Sequence, residues 1–249
     1  MNRQSGSLQR TPRLYVPASL ASGAAVVLKD QQAHYLLHVM RLQRGATFRL
    51  FNGDDGEWLA EIIATGKRDL TLRCDRKLRD PSPLPDIDYL FAPLKHARLD
   101  YMAQKATEMG AGRLRPVITR RTIAERINID RLRSNVIEAA EQCNLVGLPE
   151  VLDPQPLETL LSRWERPRQL VWCDETGGPT SPLAVLERLQ AGPMAVLVGP
   201  EGGFSSEEQG LLRGQDFVHA ISLGPRVIRA DTAAVAALAL VQAVLGDWR

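Results

Sequence analysis

The sequence predicts an α/β protein in two parts, a mainly β front and a parallel α/β back. Three observations lead there. Short apolar runs broken by turn residues fill roughly the first third, a proline-rich stretch follows, and beyond it strand, loop and helix patterns alternate to the C-terminus. At 249 residues the chain is long enough for one large domain or two modest ones, and 44% hydrophobic with 24% charged residues describes an ordinary globular composition.

In the front part, Arg13-Leu14-Tyr15-Val16 and Ala25-Val26-Val27-Leu28 read as short strands. Asp30 reads as the cap of a helix through Met40, because Ala33, Leu36, Leu37 and Met40 fall at helical spacing. Residues 47–51 then form a strand that runs into Asn52-Gly53-Asp54-Asp55-Gly56, a strong hairpin turn, and residues 57–64 and 70–77 complete a small sheet or barrel. Few aromatic side chains are available here to stack bases, so nucleic-acid binding would rely on arginines and shape. His34 and His38 have metal-like spacing, but no Glu lies between them and no third ligand is near, so no metal site is expected. They read instead as helix polar groups or RNA contacts. Pro81, Pro83 and Pro85 make the next stretch extended and semi-rigid, which puts a domain boundary near Pro83.

The back part opens with a strand over residues 87–92 and a helix over 100–109 that Gly110 ends. A strand over 114–118 precedes Arg120, Arg121, Arg126, Arg131 and Arg133, a basic cluster reaching into a helix over 131–143. The cluster reads equally as RNA contacts or as surface charge. Residues 157–164 are helical. Leu170-Val171-Trp172-Cys173 is a buried strand that breaks at Asp174-Glu175-Thr176-Gly177-Gly178. Ala195-Val196-Leu197-Val198 is another, stopping at Gly199-Pro200-Glu201-Gly202-Gly203, after which Ser205 and Glu208 have capping-box spacing for a helix through Leu212. A strand over 217–223 breaks at Gly224-Pro225 and leads through Arg226-Val227-Ile228-Arg229-Ala230-Asp231-Thr232 into an almost wholly apolar helix over 233–245. Loops at the carboxyl ends of parallel strands are where α/β proteins bind ligands. No G-x-G-x-x-G opens a helix and no G-x-x-x-x-G-K-S/T occurs, so neither dinucleotide nor P-loop binding is supported.

Charge and composition narrow the function class. Residues 1–80 carry 13 Lys+Arg against 8 Asp+Glu, residues 81–140 carry 10 against 7, and residues 141–249 carry 8 against 14. That polarity suits a front that holds a polyanion and a back that holds a cationic ligand. The polar first twelve residues lack the apolar core of a signal peptide and read as a loose tail. The C-terminal apolar run is too short for a membrane span and Gln242 interrupts it. Cys74, Cys143 and Cys173 lie far apart, which points to a reduced cytoplasmic protein with buried thiols and no zinc site.

Two long motifs, Val198 to Ser205 (V-G-P-E-G-G-F-S) and Ser222 to Ala233 (S-L-G-P-R-V-I-R-A-D-T-A), resemble the RsmE family of ribosomal RNA uridine-N3 methyltransferases, in the SPOUT superfamily. The resemblance extends to the segment from His34 to Gly45, to Lys95, Arg98, Asp100, Gln104, Lys105 and Glu108, and to Glu141-Gln142-Cys143. Where the family continues with Gly-Arg, this chain has Asn144-Leu145.

The resemblance implies a PUA-like RNA-binding β-barrel domain at residues 1–84. Behind it, residues 85–249 would form a SPOUT-type, trefoil-knotted parallel-sheet α/β methyltransferase domain. S-adenosylmethionine would lie in a pocket made by Asp174, Glu175 and Thr176, by Val198, Gly199, Pro200, Glu201, Gly202 and Gly203, and by Leu223, Gly224, Pro225, Arg226, Val227 and Ile228. Arg229, Asp231 and Glu201 would carry the chemistry, although Asp231 could simply cap the last helix and Glu201 could fix its own turn. Arg13, Arg41, Arg44, Arg120 and Arg121 would contact RNA, the alternative being solvated surface charge. The reaction implied is N3-methylation of a uridine in the decoding region of 16S ribosomal RNA, within the small subunit, by a cytoplasmic homodimer without metal. Methylation of another RNA, such as tRNA ribose 2′-hydroxyls, and a non-catalytic role in ribosome assembly are the alternatives.

Overall fold

The computed structural model describes residues 11–123, 126–176 and 181–248. Most of the polar start of the chain, and Gly177 and Gly178 of the first predicted loop, lie outside the described residues. Two compact units form, one from Met1–Pro83 with Ala140–Leu148 and the other from Leu84–Ala139 with Pro149–Arg249.

The first unit is built on a five-stranded sheet of β1 (Arg13–Tyr15), β2 (Ala25–Lys29), β3 (Thr47–Phe51), β4 (Glu57–Thr65) and β5 (Asp69–Arg79) in the order β1-β3-β4-β5-β2. β1 runs parallel to β3 and the other pairs are antiparallel. Register shifts along β4 and β5 bend the sheet around an apolar core that includes Val16, Phe48, Leu50, Ile62 and Leu72. The predicted hairpin turn is present: Asn52 Oδ1 accepts from the backbone N–H groups of Asp54 and Asp55 at 3.0 and 2.8 Å.

The predicted helix from Asp30 changes form midway. α1 (Asp30–His34) gives way to a π-helical turn, Tyr35–Val39, in which the Met40 N–H reaches the Tyr35 carbonyl at 2.9 Å. Leu36 is buried while Tyr35 and Val39 turn outward. Arg41 then takes a left-handed backbone at φ 53°.

Residues 140–148, which the proline-rich boundary would leave with the back part, cluster with the first unit. Arg13 explains this. Its guanidinium donates to the carbonyls of Ala140 and Glu141 in the last turn of a helix and of Leu145 just beyond it, at 2.7, 3.0 and 2.5 Å. Asn144 sits at φ 63°, the left-handed conformation that helix ends commonly demand of Gly and sometimes grant to Asn. Its carbonyl accepts from both terminal nitrogens of Arg79 at 3.0 Å.

The second unit is a parallel sheet of β6 (Ile87–Phe91), β7 (Arg113–Ile118), β8 (Glu150–Val151), β10 (Gln169–Cys173), β11 (Met194–Val198) and β12 (Val218–Ile221), in the order β12-β10-β11-β6-β7-β8, with β9 (Gln155–Pro156) also on β7. β6 and β11 are buried throughout, as central parallel strands covered on both faces must be. The helices are α2 (His96–Glu108), α3 (Ile129–Gln142), α4 (Leu157–Ser162), α5 (Pro182–Leu186), α6 (Ser206–Arg213) and α7 (Ala230–Val244). β8, β9 and α5 carry too few residues to show a period. None of the described helices is long and apolar enough to cross a membrane.

Gln242, the polar break in the apolar α7, is fully buried and donates to the Met109 carbonyl at 2.8 Å, joining α7 to the end of α2. At the amino ends of the strands, buried Asp88 lies 2.6 Å from both Arg113 and Arg115 and 3.3 Å from Arg168. That network is structural, at the end of the sheet opposite the predicted ligand loops.

Candidate active site

β12, β10 and β11 are neighbours in the sheet, so the three loops at their carboxyl ends converge on one cavity of about 490 Å³. This lies within the roughly 300–1,000 Å³ typical of small-molecule sites. Every predicted cofactor residue lines it except Thr176 and Gly202.

Asp174 is buried at the end of β10. Its Oδ1 accepts from the Thr176 N–H at 2.9 Å and the Thr176 hydroxyl at 2.7 Å, and its Oδ2 accepts from Arg213 at 2.8 Å. Burial pushes the Asp174 carboxyl up, but the hydrogen bonds from Thr176 and Arg213 outweigh it and hold the group below its ordinary range. Thr176 therefore shapes the loop from behind the wall. Cys173 lines the cavity with its thiol pushed up to about 12 by burial, which keeps it neutral there. By residue exposure Cys74 is buried, while Cys143 and Cys173 are half-buried, fewer buried thiols than the sequence suggested.

The glycines divide by role. Gly203 has φ 69° and a Cβ there would overlap the Glu175 carboxylate; a Cβ on Gly199 would come within 2.6 Å of the Phe204 ring. Gly202 differs, since a Cβ there would meet only the Arg121 side chain, at an ordinary 3.6 Å. The close backbone approach belongs to Gly199 and Gly203. The next helix starts as predicted, with Ser205 and Glu208 forming a reciprocal capping box. Glu208 Oε1 also accepts from the Arg120 N–H at 2.8 Å, and Arg121 donates to the Gly202 carbonyl at 2.7 Å.

Of the three predicted catalytic residues, Glu201 and Arg229 are on the wall and Asp231 is not. Glu201 pairs with Arg98 of α2, which also lines the cavity, so it does not hold its turn through backbone N–H groups alone. Arg229 is the N-cap position of α7, and Asp231 lies inside the first turn with its Oδ1 on the Thr232 N–H at 2.8 Å. The helix thus starts earlier than predicted, which removes Asp231 as its N-cap. Ala230 and Ala233 share the cavity face, being three apart, whereas Asp231 points about 100° round the helix.

Sequence reasoning missed Arg98, Trp172, Phe204, Gln209 and Ser222 as wall residues. Trp172 and Ser222 stand at the strand ends, and Phe204 directly follows the glycines. For Arg98, the motif around residues 95–108 was the available signal.

The predicted RNA contacts separate as well. Arg13 is a correction: it is buried, with its Nε 2.6 Å from Glu57 and both terminal nitrogens bonded to carbonyls, so it is not presented to phosphate. Arg41 and Arg44 are exposed. Arg120 is exposed but lies 3.2 Å from Glu207 and 3.9 Å from Glu158. In the basic cluster, Arg131 pairs with Asp100 and Arg133 with Asp130, so much of that charge is compensated in place. Among the described residues, no group of three metal-ligating side chains forms.

Residues 80–242 match the RNA methyltransferase domain family and residues 28–73 the RNA methyltransferase PUA domain family, which makes the chain an RNA methyltransferase with a PUA domain in front. The ribosomal RNA small subunit methyltransferase E of Rickettsia conorii is 33% identical over 231 residues, covering 92% of this chain and 94% of the relative. Its namesake from Synechocystis is 32% identical over 250 residues, covering 98% and 81%. The chain belongs to the ribosomal RNA small subunit methyltransferase E family. A methyltransferase of Legionella pneumophila, solved with bound S-adenosylmethionine, is similar in structure with a TM-score of 0.81 at 29% identity, over 94% of this chain and 98% of that one. The small subunit methyltransferase E of Neisseria gonorrhoeae, bound to S-adenosylmethionine, also gives 0.81, at 26% identity over 96% and 100%.

Proposed function

We propose that this chain methylates N3 of a uridine in the decoding region of 16S ribosomal RNA, using S-adenosylmethionine and acting on the small subunit as a cytoplasmic homodimer. The observation that carries the reading is the convergence of the three strand-end loops on one cavity, in a chain of this family. The back unit has the parallel α/β fold of SPOUT methyltransferases, and the reading includes a trefoil knot at these loops.

When bound, S-adenosylmethionine supplies a methyl group on a cationic sulfonium. The residues present fit such a ligand. Gly199 and Gly203 let the Phe204 ring and the Glu175 carboxylate close against the loop, Trp172, Cys173, Val198, Phe204 and Ile228 offer apolar or neutral wall, and Glu175 and ionised Asp174 supply negative charge. The chain's remaining task is at the uracil. N3 carries a proton at neutral pH, so the site must take that proton or favour the anion. In this reading Arg229, at the wall, stabilises the developing uracil charge, and Glu201, once Arg98 is drawn to RNA phosphate, accepts the proton. Asp231 faces away from its own cavity, and its part in the chemistry is to complete the site of the second copy.

The test is nucleoside mass spectrometry of ribosomal RNA from a strain lacking this chain. N3-methyluridine should disappear from 16S RNA and return when the chain is restored. Unchanged N3-methyluridine, or loss of a ribose methyl from tRNA instead, overturns the assignment.

A further inference from the structure

We infer that the π-helical turn Tyr35–Val39 and the two arginines after it form a seat for an unpaired nucleotide of the RNA substrate, with the base stacked on Tyr35 and the flanking phosphates taken by Arg41 and Arg44. The inference rests on the RNA substrate of the proposed function. It assigns a surface, and a mode of contact, to residues that the loops of the second unit do not explain.

Three observations carry it. The first is conformational. Helix formation is interrupted by a full π-turn between α1 and a left-handed Arg41 at φ 53°. π-turns inside helices are rare and occur frequently at functional sites, and a left-handed arginine adds local strain. The apolar pattern alone does not require it, because an ordinary helix would also bury Ala33 and Leu36.

The second is exposure. Tyr35 is 54% and Val39 61% exposed, so two large side chains stand on the surface of a small unit whose other rings are largely committed. Tyr15 and Phe51 pack on each other, and Phe48 is fully buried. His34 and His38, also exposed, lie with ring centroids 4.9 Å apart beside Tyr35. The sequence suggested that few rings in the front part are available for stacking; the π-turn presents one.

The third is charge. Arg41 and Arg44 are exposed and make no ion pair among the described residues, unlike Arg120, Arg131 and Arg133. Uncompensated cations six and nine residues along the chain from an exposed ring match a strand of phosphates and bases. The two histidines have donors for base edges or phosphate and no third ligand for a metal.

Stacking and phosphate contact respond differently to salt, which makes the surface testable in the full-length chain. The probes are fluorescent single-stranded oligouridylate and small ribosomal subunits from a strain lacking this chain. Tyr35→Ala should weaken binding of both roughly 5- to 150-fold at fixed salt, the range for losing one stacked base. It should leave the slope of log affinity against log salt unchanged, and Tyr35→Trp should restore binding because any ring can stack. The double variant Arg41→Ala with Arg44→Ala should lower that slope by about 0.7 for each lost phosphate contact. S-adenosylmethionine affinity and the thermal midpoint should match the parent in all of them. Parent-like RNA binding by Tyr35→Ala, or equal loss in Tyr35→Trp, overturns the proposal. A parent chain that methylates no 16S RNA, yet shows the Tyr35 effect on binding, fails the proposed function while leaving this surface standing.

Discussion

Arg13 Nε lies 2.6 Å from Glu57 Oε1 inside the first unit, with both side chains almost fully enclosed. The guanidinium also packs 4.4 Å over the Phe51 ring. Removing Arg13 from this buried cluster leaves Glu57 with Arg79 as its remaining hydrogen-bonded cation and takes a donor from the carbonyls of Ala140, Glu141 and Leu145, at a typical cost of about 3–5 kcal/mol. Arg13→Ala should lower stability by that amount in denaturant titration, and the salt dependence of RNA binding should stay as in the parent. A stable Arg13→Ala chain with a shallower salt slope would return Arg13 to the RNA surface.

Glu57 gives the same cluster a pH signature. Burial pushes its carboxyl up, but Arg79 and Arg13 together outweigh burial and hold it below its ordinary value of 4.5. A folded pKa below the unfolded one means stability that is fully present above about pH 4.5 and lost as pH falls through the lower folded value. The thermal midpoint should therefore fall in that acid window. Glu57→Gln should be less stable at neutral pH and show a flatter acid fall. Parallel pH curves for parent and variant would assign the loss to other groups.

The glycine-rich loop makes a prediction by contrast. Gly203→Ala must put a Cβ into the Glu175 carboxylate from a left-handed backbone, whereas Gly202→Ala meets only ordinary contact. Strain of this kind costs on the order of 1–3 kcal/mol, so Gly203→Ala should weaken S-adenosylmethionine binding roughly 5- to 150-fold. Gly202→Ala should stay within about twofold. Calorimetry on both folded variants decides it; a reversed order would place the ligand on the other side of the loop.

Part of this architecture is legible in the sequence. Strands announced themselves where apolar runs met Gly or Pro, so the three loops around Asp174, Gly199 and Gly224 could be found from local signals. Ser205 and Glu208 signalled their capping box because its chemistry depends on a fixed spacing. Sequence position alone did not reveal the fate of a charge. Arg13 looks like Arg41 in the sequence, yet a partner at position 57 and a helix end near 140 consume it. Gly202 and Gly203 are likewise adjacent and identical, and only tertiary neighbours distinguish them. Asn144, a departure from the family's Gly, needed a φ value before its left-handed role was visible.

The pair Arg98–Glu201 predicts a division of labour at the cavity. Both groups are about 40% exposed, so the pair itself should add little to stability, about 0–1 kcal/mol. Arg98→Ala should leave folding and cofactor affinity near the parent while lowering kcat/KM on small subunits. Glu201→Gln should lower kcat with less effect on KM if it accepts the N3 proton. Arg229→Lys should lose activity because a lysine cannot reproduce the planar donor fork. Glu201→Gln with parent kcat would remove Glu201 as the base.

Asp231 poses the sharpest question, because its helix turns Ala230 and Ala233 toward the cavity and Asp231 away from it. Asp231→Asn preserves shape and hydrogen-bonding reach while removing the charge, so a large loss of kcat with normal cofactor binding would assign it to the chemistry. If each site of a dimer pairs one copy's cofactor pocket with the partner's Asp231, a mixture can recover what neither variant has. Asp231→Asn and Gly203→Ala chains co-expressed in equal amounts should yield mixed dimers in which one site is intact. With random pairing the activity should return to about a quarter of the parent value. If Asp231 acts within its own chain, every site carries a lesion and the mixture stays inactive. Asp231→Asn with parent kcat excludes it from the chemistry altogether, and a fully active monomer by light scattering would remove the shared site.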